Sequence, residues 1–252
     1  MTDRPIIFSA PMVRALLDGR KSQTRRLLKL AGRSPDYIGP AGCQGDPTCW
    51  GWEMPDLGGY VTIEGDDKDH LPGWRNGWRD WQGAYAPGDR LYVREHWRCP
   101  AKHDATAPRD LTPRSMTIAF EAGGSIANQD SRDDWRPSSA SYTGADWMGR
   151  FRQAMHMPRW ASRLTLTVTG VRVQRLQDIS EADAVAEGVI HDGFGGWRGH
   201  EGTIGYPTAI WAYHHLWNSL HGPGAWDANP WVVALTFDVV RGNIDQMPGV
   251  AG

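Results

Sequence analysis

The chain has 252 residues, 40% hydrophobic and 22% charged, enough to bury a sizeable core in one large domain or two small ones. Its 27 basic and 29 acidic residues nearly cancel to a formal charge of -2, which argues against a chain-wide electrostatic nucleic-acid binder but leaves room for a local basic patch. No run approaches the ~18 apolar residues that span a bilayer. The opening residues lack a secretory layout, and three cysteines make no disulfide framework, so a soluble cytoplasmic protein with no membrane partner is expected.

Gly (30) and Pro (17) predict much turn and loop. The 14 tryptophans outnumber the seven tyrosines and five phenylalanines together. Trp serves both cores and stacking surfaces. The segment 50–81 holds five of them among glycines and acids, the pattern of a surface loop with aromatic anchors.

In chain order, 8–19 reads as a helix, with Ser9 as cap, Pro11 in the first turn, Met12, Val13, Leu16 and Leu17 as an apolar stripe, and Gly19 at the stop. A basic segment follows. Residues 31–86 lack periodicity and read as a long insertion. Over 90–97 an alternating strand puts Leu91, Val93, Glu95 and Trp97 on one face, where an acid is costly to bury without a partner. A second insertion, 98–155, is irregular apart from a short strand at 117–121. The clearest strand is 160–173, with Gly170 a possible break. Ser180 and Asp183 form a capping-box pattern opening a short helix that stops at Gly188. A helix over 207–220 and a strand over 231–240 precede a loose tail from about 241. The order predicts a single α+β domain over 1–252.

Two places carry candidate chemistry. The run Gly-Arg-Lys-Ser-Gln-Thr-Arg-Arg over 19–26 reads either as a solvated basic turn or as an anion or nucleotide contact. In a sharper form, Thr24 is a nucleophile and Lys21 its base, with Arg20, Arg25 and Arg26 as the cations that favour neutral lysine. Their three-residue spacing spans opposite faces of a regular strand, so this form needs a bend. Glu187 lies in the last turn of its helix, where the macrodipole disfavours an acid, and four residues after Asp183. It reads either as an indifferent surface acid or as one turned into a pocket to pair with Lys21 or an arginine. The segment 155–163, with His156 and Arg159, suits a pocket rim or an ordinary strand entry. Cys43, Cys49, Cys99 and His103 read as zinc ligands or as free thiols and a lone histidine, and the six-residue step between the first two is long for zinc. No phosphate loop, dinucleotide-binding glycine motif, zinc-protease motif or nucleophile elbow occurs.

Leu17 to Arg26, the Pro-Gly-Asp-Arg-Leu-Tyr-Val-Arg-Glu run over 87–95, the stretch 176–189 and the closing strand over 231–237 together resemble the ASCH superfamily. The layout is similar to that of its longer phage and prophage members. The resemblance spans about 6–240 and implies a PUA-like mixed β-barrel with flanking helices, the two insertions being additions to the compact form. The compact bacterial members remove the acyl group from N4-acetylcytidine with a lysine, a threonine three residues later and a glutamate in a later helix. Those positions fall on Lys21, Thr24 and Glu187, and a further arginine falls on Arg26. Ser22 stands where compact members often have threonine. The resemblance therefore implies a cytoplasmic amidohydrolase with a modified nucleoside as substrate and no metal or organic cofactor. Arg26, Glu95, Trp97, His156 and Arg159 are the expected substrate-binding residues. The alternative is a module that binds RNA, single-stranded or modified nucleic acid, with nuclease activity conceivable.

Overall fold

A computed structural model of the chain describes residues 3–28, 36–39, 50–54, 59–63, 85–112, 116–128, 136–138, 147–200 and 204–247. The chain begins with β1 (Asp3–Ile7), α1 (Ala10–Leu17) and β2 (Gln23–Leu27). Next come β3 (Asp36–Gly39), β4 (Trp50–Met54), β5 (Gly59–Ile63), β6 (Arg90–Arg94), β7 (Trp97–Arg98), β8 (Met116–Phe120), β9 (Ser125–Asn128) and β10 (Arg136–Ser138). The last part holds β11 (Leu164–Arg175), α2 (Glu181–Ala186), β12 (Ile190–His191), β13 (Trp197–Arg198), α3 (Ala209–His221) and β14 (Trp231–Arg241). The fold is α+β, built on a mixed sheet with flanking helices. No described helix is long and apolar enough to cross a membrane.

The chain divides into two compact units, one of residues 1–21, 88–167 and 238–252, the other of residues 22–87 and 168–237. In the first unit β1 runs parallel to β6, and β6 pairs antiparallel with the start of β11. A second, antiparallel sheet orders β10-β9-β8-β7. Its buried residues Trp97, Met116, Ile118, Phe120 and Ile126 pack with Met157 and Ala161 into one core. In the second unit β14 pairs antiparallel with β2, matching Leu235 to Thr24, and β3, β4 and β5 form an antiparallel sheet. Buried Ala212, Tyr213, Leu216 and Trp217 give α3 its inner face.

Several expected elements shift. The strand over 90–97 divides into β6 and β7, because the Glu95 amide donates to Met157 Sδ at 3.3 Å instead of to a neighbouring strand. The alternation survives the break, and Leu91, Val93, Glu95 and Trp97 are all buried. Gly170 does not stop β11, and an added Cβ would sit at ordinary contact distance from Thr236. The insertion over 98–155 carries most of the four-stranded sheet, so it is more regular than its sequence suggests. The expected loose tail is anchored as far as 247. Buried Asn243 donates from Nδ2 to the carbonyls of Arg159, Trp160 and Ser162 at 2.9–3.1 Å.

Candidate functional site

The basic segment begins where α1 ends. Gly19, at φ +72°, takes a conformation that disfavours side chains and lets the chain fold back, so that the Arg20 and Lys21 amides both donate to Ala15 O. This return buries Lys21, whose side chain is among the largest wholly buried in the described chain at 1% exposure. Its Nζ lies 5.6 Å from the centroid of the Phe8 ring.

From Gln23 the segment is a strand, not the solvated turn that its composition suggests. Alternation along β2 sends Gln23 and Arg25 to one face, Thr24 and Arg26 to the other. Arg25 is wholly buried and spends its guanidinium on one cluster. Nη1 donates to Gln23 Oε1 at 2.6 Å and Glu187 Oε1 at 3.1 Å, while Nη2 donates to Asp183 Oδ2 at 3.0 Å. Its Nε is also buried, with no hydrogen-bond partner among the described residues. Thr24 is buried too, at 3% exposure.

The helix that delivers the two acids is set by its ends. Ser180 caps α2, accepting from the Asp183 amide, and the Asp183 side chain bonds back to Ser180 N, closing a capping box. Glu187 is the C-cap residue, and Gly188 at φ +98° ends the helix. The Ser22 amide donates to Ala186 O at 2.9 Å, joining the entry to β2 to the end of α2. Asp183 Oδ1 also accepts from Arg172 Nη2 at 2.8 Å. Partial burial works to raise the Asp183 carboxyl, but the Arg172 bond, the Arg25 and Arg172 charges and the Ser180 amide outweigh it and hold the group below its ordinary value. On α3, burial first and then the Glu187 charge push the buried Tyr213 phenol well up, so it is a neutral donor. Burial and the Arg26 charge hold His221 down.

The other predicted residues lie in the first unit. Glu95 is 1% exposed and forms a two-pronged ion pair with Arg163, Nε–Oε1 2.7 Å and Nη2–Oε2 2.8 Å, which supplies the partner its buried position requires. Burial pushes its carboxyl up against the pull of Arg163. Trp97 is wholly buried in the core. Arg159 donates to both Asp3 and Asp245, at 2.6 Å from Nη2 to each. His156 lines a cleft with Arg94 and Arg109. Cys99 is a buried free thiol, Cys43 and Cys49 lie outside the described residues, and no group of three or more metal-ligating side chains occurs among those described.

The structure thus gathers Glu187 with Arg25, Asp183 and Gln23, while Glu95, Trp97, His156 and Arg159 serve separate contacts. Asp183, Arg172 and Tyr213 were not anticipated as members of a site. The sequence signals for the pairing are two small penalties at Glu187, its place at a helix C-terminus and its spacing from Asp183. Comparison with family models, with curated proteins and with solved structures finds no match for this chain.

Proposed function

We propose that the chain is an amidohydrolase acting on N4-acylated cytidine or a closely related acylated nucleoside, with Lys21, Thr24 and Glu187 as its catalytic group and no cofactor. The observation that supports this reading most is the burial of Lys21, Thr24 and Glu187, at 1%, 3% and 2% exposure. Burying lysine and glutamate side chains costs solvation energy that a surface position avoids, so their retention inside favours a chemical role.

In the proposed reaction Thr24 Oγ attacks the acyl carbonyl and its proton passes to neutral Lys21. The C–N4 bond then breaks, the proton goes to the leaving amino group, and an acyl ester remains on Thr24. Lys21 takes a proton from water, the water oxygen attacks the ester, and the carboxylic acid leaves as Thr24 regains its proton. Glu187, fixed by Arg25, orients Lys21 or accepts a hydrogen bond from the substrate amide. Removing such a base typically costs ~10²–10⁴-fold in rate.

The test is conversion of N4-acetylcytidine to cytidine, followed by chromatography, with wild type and Thr24→Ala in parallel. Turnover by wild type and none by the variant supports the reading, and equal turnover removes Thr24 as nucleophile. If wild type and a panel of longer N4-acylated cytidines are all inert, the amidohydrolase reading fails.

A second reading, a module for RNA or modified nucleic acid, is favoured by the α3 surface. Half-exposed Trp211 lies 5.4 Å from His214, which lies 5.0 Å from Trp226, ring to ring. Such rows can stack bases. It predicts salt-dependent binding of single-stranded RNA that Trp211→Ala weakens, without turnover.

A further inference from the structure

The first unit contains a cleft of about 440 Å³, within the roughly 300–1,000 Å³ usual for small-molecule sites. Its walls carry Arg94, Arg109 and His156, with Pro108, Met155, Met157 and Pro158 giving an apolar surface. No carboxylate lines it among the described residues.

Arg94 stands out by its pairing. Nη1 donates to Met155 O at 3.1 Å, Nη2 donates to Tyr92 Oη at 3.2 Å, and the guanidinium lies 5.3 Å from the Tyr92 ring centroid. Its Nε is buried without a hydrogen-bond partner, and no carboxylate pairs with it among the described residues. This contrasts with Arg90, Arg159 and Arg163 of the same unit, each matched to an acid within 3 Å. Among the described residues Arg109 pairs with Asp110, at 3.7 Å, with both side chains largely exposed, a contact worth little in water. The cleft therefore holds positive charge that the protein leaves largely unneutralised, beside an apolar wall.

We propose that this cleft binds a small phosphomonoester whose flat apolar body rests on the proline and methionine wall. Two guanidinium groups and an imidazole match a dianion better than a single carboxylate, and arginine presents paired donors to phosphate oxygens. The volume far exceeds that of a bare phosphate, so the ligand carries an organic body. The site lies within the first unit and contains none of the proposed catalytic residues Lys21, Thr24 and Glu187, so either reading can fail alone.

The test is isothermal titration of the full chain with cytidine 5′-monophosphate, cytidine, inorganic phosphate and a dinucleotide without a terminal phosphate. The monophosphate is expected to bind at least about tenfold more tightly than cytidine or phosphate alone, with affinity falling as salt rises. Arg109→Ala and His156→Ala, both at exposed positions, are each expected to weaken it several-fold with unchanged thermal unfolding. Arg94→Gln, which retains a donor, is expected to weaken it about tenfold or more. Equal binding of cytidine and its monophosphate overturns the proposal, as does indifference to all three substitutions. A dinucleotide that binds as well as the monophosphate, and is lost with the same variants, overturns it in favour of a phosphodiester strand.

Discussion

Arg25 reaches Glu187 across 162 positions of sequence, Nη1 to Oε1 at 3.1 Å, with both side chains at or below 2% exposure. With Nη2 on Asp183, one guanidinium joins an acid inside α2 to the one that caps its C-terminus. Removing Arg25 takes away the cation that buried Glu187 shares with Asp183. Arg25→Ala is expected to lose about 3–5 kcal/mol of unfolding free energy, measured in urea. Arg25→Met combined with Glu187→Gln is expected to recover part of that loss, because the carboxylate that Arg25 meets is neutralised along with it.

Lys21→Met keeps most of the shape of a wholly buried side chain and removes its amine. Under the proposed chemistry it lowers turnover of N4-acetylcytidine by ~10²–10⁴-fold while the circular dichroism spectrum stays that of wild type. Undiminished turnover in this variant removes Lys21 from the mechanism.

Asp183 ties stability to acid. Its carboxyl is held below the ordinary 3.8 in the folded chain, so its contribution is complete above about pH 4–5 and is lost as pH falls through the lower, folded value. The stability gap between wild type and Asp183→Asn is expected to narrow steadily as urea titrations move from pH 6 to pH 2.5. A gap that stays constant with pH means that the ion pairs with Arg25 and Arg172 contribute no net stability.

Glu95 carries the opposite sign. Burial raises its carboxyl, so the cost of ionising it in the folded chain grows as pH rises from about 4 toward the folded value. Arg163→Met removes the compensating cation. The substitution is expected to cost least near pH 4 and about 3–5 kcal/mol at neutral pH. A cost independent of pH points to lost packing of Arg163 over the Phe120 ring, 4.0 Å to centroid, instead.

Gly149 has no room for a side chain. A Cβ there would fall 2.8 Å from Cys99 O and 2.9 Å from Ala101 Cα, both backbone atoms. Gly149→Ala is expected to destabilise by about 1–3 kcal/mol in thermal unfolding, since the backbone of 99–101 has to shift. Gly170→Ala, where the nearest atoms are 3.6 Å away, is the control expected to show a much smaller loss.

What was legible in the sequence was local. The capping box of Ser180 and Asp183, the stop at Gly188 and the alternation of Leu91, Val93, Glu95 and Trp97 all rest on neighbours within a few residues, and all are present. The strand character of Gln23–Leu27 was hidden because its polar side chains find partners far along the chain, Gln23 on Thr236 and Arg25 on Glu187. Arg25 reads as a phosphate contact from its basic neighbours, and the structure turns it inward onto Asp183 and Glu187. Glu187 was legible as an anomaly, since two small penalties at one position indicated a compensating cation, but spacing alone could not choose among Lys21 and the arginines.

The interleaving of the two units along the chain constrains synthesis. The second unit needs residues up to 237, and the first needs a segment that starts at 238. At ~5–20 residues per second on a ribosome, both have to wait for β14 before either can close. The usual order of folding from the N-terminus is therefore not open to this chain. Arg25 emerges 158 and 162 positions ahead of its partners Asp183 and Glu187, so its buried cluster closes only once α2 has been made.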